Sequence, residues 1–358
     1  MNNKRVTIKD IASQLNISTG TVDRAINGKG RINAKTKKLV MQKVEELGYK
    51  PNRIARSLGK NQKTKLVFVS PAHNPFWQEI RNGAQTACDE LRDYNVQLEF
   101  YSQKSDFDTI CQIKDMEKII QEKPRGIIVA PLDSCLLVKP INNAVETGIP
   151  VVTVNLDSRE SKRICYIGED PCHTGAIVGA LFKKFIGRGG QVAVLTGDDD
   201  SSQFQIRKRG FLETILSNNS TIKISGYHEY ANNEGSAYFI SKKLISDIPD
   251  LKGIFANTAV GVVGIAKAIR DMDKKGLIIT VCYDTSDEIN ELLDCDAMVA
   301  TVTQNPFLQG YYSVRLLFKI LLEKTPPEKV NNYIRTEIIV ESKQVELNAH
   351  SENYNMFL

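Results

Sequence analysis

The sequence has one tryptophan, Trp77, and four histidines in 358 residues. Those histidines, His73, His173, His228 and His350, share no metal-binding spacing, so no metal site is expected. The seven cysteines are odd in number and form no C-x-x-C pair. The odd count argues against a disulfide framework and the missing pair spacing against a zinc knuckle, so neither is expected. A reducing compartment, the cytoplasm, suits that cysteine usage. No apolar run approaches the ~18 residues of a membrane helix; the longest resemble Gly126–Leu132. The segment MNNKRVTIKD lacks the apolar core of a secretory signal. There is no G-x-x-x-x-G-K-[ST] loop and no G-x-S-x-G elbow. Gly187-Arg188-Gly189-Gly190 precedes a strand-like segment instead of opening a helix after one, and reads as a turn. Asp198-Asp199-Asp200 reads as an exposed acidic loop. The expectation is therefore a chain that is not an enzyme, with no catalytic residue and no cofactor.

Acidic residues are scarce at one end. Residues 1–65 hold 16 Lys/Arg against 4 Asp/Glu, while the remainder holds 31 against 38. The overall mix, 42% hydrophobic and 25% charged, is that of an ordinary soluble protein. A length of 358 residues exceeds one compact domain at ~100–200 residues each. A basic head on an acidic body implies a polyanion-binding module joined to something else.

The head patterns as three short helices. Thr7 caps the first, with Asp10 as reciprocal partner, and Ile8, Ile11, Ala12 and Leu15 share one face. Ser18 caps the second, whose apolar face is Val22, Ala25 and Ile26; Asn27-Gly28 ends it. Asn33 caps the third, with Leu39, Val40, Val44 and Leu47 facing the core. Gly48 and Pro51 follow as stop signals. Two helices joined by a tight turn, followed by a third, describe a helix-turn-helix unit. Such a unit sets the start of its second helix into the major groove, where Thr19, Gly20, Thr21 and Arg24 would face DNA.

Three blocks, Val6-Thr7-Ile8-Lys9-Asp10-Ile11-Ala12, Thr21-Val22-Asp23-Arg24-Ala25-Ile26-Asn27-Gly28 and Glu46-Leu47-Gly48-Tyr49-Lys50-Pro51-Asn52, resemble the LacI/GalR repressor family in order and spacing. The resemblance implies double-stranded DNA as partner, a pseudo-palindromic operator and a homodimer. Its DNA-binding set is Thr7, Ser18, Thr19, Gly20, Thr21, Arg24, Asn27 and Arg31 in the head. Asn52, Arg53, Ala55, Arg56 and Leu58 extend that set into a hinge helix, where Leu58 matches a leucine that wedges between base pairs in the minor groove. Gly20 and Asp23 depart from the family pattern, which usually has a base-reading side chain and a small residue there. The implied organisation is a head at 1–50, a hinge and linker at 51–64, a body at 65–345 and a polar tail at 346–358.

The body alternates strand-like and helix-like segments. Leu66–Ser70, Val96–Tyr101, Gly126–Ala130 and Val151–Asn155 form one strand series. Ile164–Ile167, Val192–Leu195, Ile222–Ile224, Gly253–Ala256 and Leu277–Cys282 form a second. Two such series predict two doubly wound parallel-sheet lobes with ligands at the carboxyl ends of strands. The fold class is thus an all-α helix-turn-helix head plus an α/β bilobed body.

That body resembles the ribose-binding branch of the periplasmic binding proteins. The resemblance implies a ligand between two lobes joined by three crossovers, placed near Leu156–Lys162, Tyr283–Ser286 and Gln304–Phe307. It also implies ligand contacts from Asn74, Phe76, Trp77, Asp157, Arg159, Arg207, Asp284 and Gln304, with Asn257 or Thr258 where the family places Asn-Asp. Hydroxyl partners and aromatic faces favour a monosaccharide or polyol as effector. A sugar phosphate, met by Arg159, Arg207 or Lys208, stands as an alternative. So does a DNA-binding dimer that needs no ligand.

Overall fold

The structure is a computed structural model that describes residues 8–27, 32–47, 63–71, 74–103, 108–187, 189–197, 202–217 and 220–341. Thr7, Arg31, Asn52, Arg53, Ala55, Arg56 and Leu58, most of the hinge, the Asp198–Asp200 loop and the polar tail lie outside the described residues. The chain divides into two units, Met1–Gln62 and Lys63–Leu358.

The first unit holds α1 (Ile8–Leu15), α2 (Thr19–Asn27) and α3 (Ala34–Glu46). Asn16, at positive φ, turns the chain between α1 and α2. Ser18 caps α2: its Oγ accepts from the Thr21 backbone N–H at 3.2 Å. Asn33 caps α3 by accepting from the Lys35 N–H at 2.9 Å. Ile11, Ala12, Val22, Ala25 and Val40 make the buried core, with Val44 and Leu47 packed against it. Leu39, expected in that core, is 49% exposed. Val40 and Val44 already point inward at helical spacing, and Leu39 sits a third of a turn away from them.

The second unit opens with β1 (Thr64–Pro71), α4 (Pro75–Glu90), β2 (Val96–Gln103), α5 (Thr109–Gln121) and β3 (Gly126–Val129). It continues through α6 (Val138–Glu146), β4 (Val151–Val154), β5 (Cys165–Gly168) and α7 (Pro171–Ile186). Then come β6 (Gln191–Thr196), α8 (Ser202–Ile215), β7 (Lys223–Glu229), α9 (Glu234–Asp247), β8 (Leu251–Ala256) and α10 (Val262–Asp271). The chain ends its described course with β9 (Ile279–Tyr283), α11 (Asp287–Asp294), β10 (Ala300–Thr303), α12 (Pro306–Glu323), β11 (Asn331–Tyr333) and β12 (Glu337–Ile339). Gly187, Gly189 and Gly190 all have positive φ and lead into β6, a turn as the sequence suggested.

Two six-stranded sheets result, ordered β11-β5-β4-β3-β1-β2 and β12-β10-β9-β8-β6-β7. Every pairing is parallel except β10 with β12. Central strands such as β3, β4 and β5 are buried along their length, as helices on both faces require.

The strand Ile164–Ile167 was expected to open the second series. It instead extends the first sheet as β5, pairing Val152–Val154. Two crossovers move accordingly. Leu156–Lys162 links β4 and β5 within one sheet, and Tyr283–Ser286 stays within the second lobe. The chain leaves the first lobe at Glu169-Asp170, because α7 packs on α8, β8 and β9. It returns at Gln304-Asn305, where α12 packs on α4 and on β3, β4 and β5. It crosses a third time between β11 and β12.

Helix pairs in both lobes pack tightly. A Cβ on Gly83 would strike the Phe307 carbonyl, and one on Gly310 the Ile80 carbonyl, so α4 and α12 touch at backbone distance. Gly175 against the Arg207 carbonyl and Gly210 against that of Cys172 do the same for α7 and α8.

Candidate functional site

A polar network gathers where the carboxyl ends of both sheets meet the first two crossovers. Asn155 follows β4 and Glu169 follows β5, both on the first lobe. Gln203 and Arg207 stand on α8, Asn257 follows β8, Asp284 follows β9 and Gln304 follows β10. Asn155, Asp284 and the adjacent Asn305 all hold left-handed backbone conformations. Asn and Asp tolerate that conformation best, and its clustering is typical of sites where geometry is set by function.

The centre is an ion pair. Glu169 is fully buried and Arg207 is 2% exposed. The Arg207 Nε donates to Glu169 Oε1 at 2.6 Å, and Nη2 lies against the same oxygen. Gln203 Nε2 donates to that oxygen at 2.8 Å. Arg207 Nη1 donates to the Asn257 carbonyl at 3.3 Å, and the guanidinium lies 3.8 Å from the centre of the Tyr283 ring. Burial pulls the Arg207 pKa down, but Glu169 beside it carries it above its ordinary value, so the guanidinium stays charged. Asp170, next in sequence, caps α7 through the Cys172 and His173 N–H groups. That leaves Glu169 as the member of the acidic pair that turns to the network.

Around the pair, Gln304 Nε2 donates to both oxygens of Asp284, at 3.0 and 2.9 Å. Its Oε1 accepts from Asn155 Nδ2 at 3.2 Å and from Gln203 Nε2 at 3.4 Å. Gln304 thus ties Asn155 of one lobe to Asp284 of the other. Burial pushes the Asp284 carboxyl up to about 6; Arg207 pulls it back, Glu169 adds to the rise and the Gln304 amide opposes it. Two buried acceptors, Glu169 Oε2 and Asn257 Oδ1, have no hydrogen-bond partner. Buried acceptors left in that state cost stability unless something supplies donors.

The network brings together Arg207, Asn257, Asp284 and Gln304 from the sequence expectation. Thr258 is half-buried beside it and accepts from the Val260 N–H at 3.3 Å. Asp157 is held apart: both its oxygens bond Arg163, with Oδ2 at 2.6 Å from Nη2, and Thr153 Oγ1 donates to Oδ1 at 2.8 Å. Arg159 is exposed and stands 3.8 Å from Asp157. Asn74 caps α4, its Oδ1 accepting from the Trp77 N–H at 3.0 Å. Phe76 and Trp77 meet edge to face at 5.5 Å. These three follow β1 at the carboxyl end of the first sheet, but no hydrogen bond or ring contact joins them to the network.

Sequence reasoning missed Asn155, Glu169, Gln203 and Arg163. The available signal for Glu169 was its place directly after a short buried strand, before an Asp-Pro that starts a helix. In the head, Ser18, Thr19, Gly20 and Arg24 are exposed and Thr21 is half-buried, its hydroxyl 2.9 Å from that of Ser18. Asn27 ends α2. Among the described residues no cluster of three His, Cys, Asp or Glu is placed to hold a metal ion, and no helix is long and apolar enough to cross a membrane.

Residues 66–325 match the family described as "Periplasmic binding protein domain" and residues 7–52 match "Bacterial regulatory proteins, lacI family". The chain is similar to the D-ribose/D-allose-binding protein of Pseudomonas aeruginosa, 26% identical over 281 residues, covering 76% of this chain and 86% of that protein. It is equally similar to the D-allose-binding periplasmic protein of Escherichia coli, 26% identical over 280 residues, covering 74% and 88%. Among solved structures, GanP, a glucose-galactose binding protein from Geobacillus stearothermophilus, superposes with a TM-score of 0.73 at 25% identity, covering 80% of this chain and all (100%) of that one. AraP, an arabinose binding protein from the same organism, gives 0.70 at 27% identity, covering 78% and 97%. Two lobes of parallel sheet joined by three crossovers, behind a helix-turn-helix head, agree with these matches: the chain belongs to the periplasmic binding protein domain family and carries a lacI-family DNA-binding domain at its head.

Proposed function

We propose that this chain is a homodimeric, cytoplasmic transcription repressor whose operator affinity is controlled by a small sugar or polyol held between its two lobes. The observation that carries this reading is the network around Gln304. It joins Asn155 of one lobe to Asp284 of the other, at the strand ends where α/β sheets bind ligands. A ligand that inserts hydroxyls into such a network favours one lobe arrangement over another by its different contacts in each. The head is the output: a helix-turn-helix with exposed Thr19 and Arg24 at the start of its second helix. Relatives named for ribose, allose, arabinose, glucose and galactose support pentoses and hexoses as the class to try first. Coupling runs through the hinge by the order–disorder logic of paired short helices that need DNA to form.

The test uses Trp77, the sole tryptophan. Full-length protein is titrated with pentoses, hexoses and polyols while fluorescence and operator binding are followed. A saturable change with one compound, accompanied by altered operator affinity, is the expected result. Silence in fluorescence, melting temperature and operator affinity across the panel would overturn the sugar reading and leave DNA binding standing.

A further inference from the structure

We infer that Glu169 sets the charge class of the effector, so that the site accepts ligands that donate hydroxyl hydrogens and rejects ligands that carry an anionic group. The inference rests on the proposed sugar-binding role of the Arg207–Asp284–Gln304 region and narrows it.

A buried arginine at the carboxyl ends of parallel strands would ordinarily welcome a phosphate or carboxylate, since its planar fork matches either. Here the charge of that fork is met from within the protein, with hydrogen bonds from Nε and Nη1 and an ion-pair contact alone at Nη2. Glu169, fully buried, faces it from the other lobe and takes Nε at 2.6 Å, with Nη2 against the same oxygen. The Asn257 carbonyl takes Nη1 at 3.3 Å. An incoming phosphate would have to displace Glu169, leaving a buried carboxylate without its counter-charge.

Of the described cations, Arg163, Arg159 and Lys208 are committed or remote. Arg163 is bound to Asp157 through two nitrogens, and its Nη2 also donates to Asn331 at 3.1 Å. Arg159 is exposed. Lys208 lies over the Tyr227 ring at 5.1 Å. Against these stand the carboxyl groups of Glu169 and Asp284.

Among the unmatched atoms of the network, which also include Arg207 Nη2 and the Tyr283 hydroxyl, the two acceptors point the same way. Glu169 Oε2 and Asn257 Oδ1 are buried acceptors without hydrogen-bond partners. Sugar hydroxyls bring donors to both. The oxygens of a dianionic phosphate or an aldonate carboxylate are acceptors only, and would add repulsion at the same two places.

Calorimetric titration tests this with three probes built on one carbon skeleton: the neutral aldose that gives the strongest response, its phosphate and its aldonate. Wild type is expected to bind the neutral sugar and to bind both anions at least a hundredfold more weakly. In Glu169→Gln, which keeps shape and removes charge, that discrimination should shrink tenfold or more. General damage to the fold would weaken neutral and anionic ligands alike and leave the ratio unmoved, so the ratio reads the charge effect. Glu169→Ser, which also leaves space beside Arg207, is the second variant should the glutamine protein fail to fold.

Wild-type binding of either anion as tight as the neutral sugar would overturn the inference without any variant. An unchanged ratio in both variants would overturn it too, while the sugar-sensing function stands. Absence of binding by every neutral sugar would instead remove the functional reading on which it rests.

Discussion

Glu169 and Arg207 come from opposite lobes and share one buried ion pair, with Arg207 Nε 2.6 Å from Glu169 Oε1. The carboxylate stands at the first crossover and the guanidinium on α8, so the pair closes only when β5 and α8 are correctly placed. Removing one partner of such a pair costs about 3–5 kcal/mol, because the other charge stays buried. Arg207→Met should therefore destabilise the protein by that order, and Arg207→Met combined with Glu169→Gln should recover part of the loss. Urea denaturation of the four proteins of this cycle measures the coupling; additive losses would show that the pair is not an energetic unit.

Asp284 gives the body a pH dependence of definite sign. Its carboxyl has a pKa of about 6 in the fold against 3.8 ordinarily, chiefly through burial. Between these values the folded protein holds a proton that the unfolded chain has released. Stability contributed by that proton is complete below pH 4 and is lost as pH rises through 6, by about 2–3 kcal/mol at 1.36 kcal/mol per unit. Asp284→Asn should flatten the curve between pH 4 and 6 and abolish the ligand response while leaving ligand-free operator binding intact. Thermal melts at half-unit pH intervals, with operator binding alongside, would show it; a persisting ligand response would displace the site from Asp284.

The helix pair that carries Arg207 has no room for a methyl group. Gly175→Ala sets a Cβ against the Arg207 carbonyl, which is backbone and cannot swing aside. A loss of about 1–3 kcal/mol is expected from overpacking, together with weaker ligand binding as α8 is displaced. Gly83→Ala, which meets Phe307 in the other lobe, should cost similar stability with a smaller effect on ligand affinity. Equal effects of both on affinity would mean that Arg207 placement does not depend on the α7–α8 contact.

Arg24 is exposed on the second helix of the head. Arg24→Ala should lower operator affinity by about 1–3 kcal/mol if it contacts a base edge, and leave the melting temperature unchanged. If it contacts phosphate instead, the salt dependence of binding should lose about one counterion. No change in affinity or in salt slope would take Arg24 out of the interface.

Leu58→Ala tests the minor-groove wedge that the family resemblance implies. Specific operator affinity should fall while ligand affinity stays within error. Gel-shift titration against wild type decides it, and equal operator affinity would end the wedge assignment.

Local pattern alone determined the helical head, because apolar residues recur at helical spacing within each helix (Ile11 with Leu15, Val22 with Ala25 and Ile26, Val40 with Val44 and Leu47), with Ser18 and Asn33 as caps. Alternation of strand-like and helix-like runs likewise determined two parallel-sheet lobes. The same pattern misassigned the strand at Ile164–Ile167, since a buried parallel strand reads alike in either sheet and only pairing with β4 decides its lobe. That single pairing moves the first crossover to Glu169-Asp170 and brings Glu169 into the candidate site.

The family resemblance marked Arg207, Asp284 and Gln304 as separate positions expected to bind hydroxyls. Only the tertiary structure decided that Arg207 is already neutralised, that Gln304 spans the lobes, and that Asn74 is occupied as a helix cap. Glu169 lies 38 residues from Arg207, and Asn155 lies 149 from Gln304. Residue type and local periodicity carry no information about partners that far apart; charge matching in a buried site depends on which strand ends the two folded lobes bring face to face.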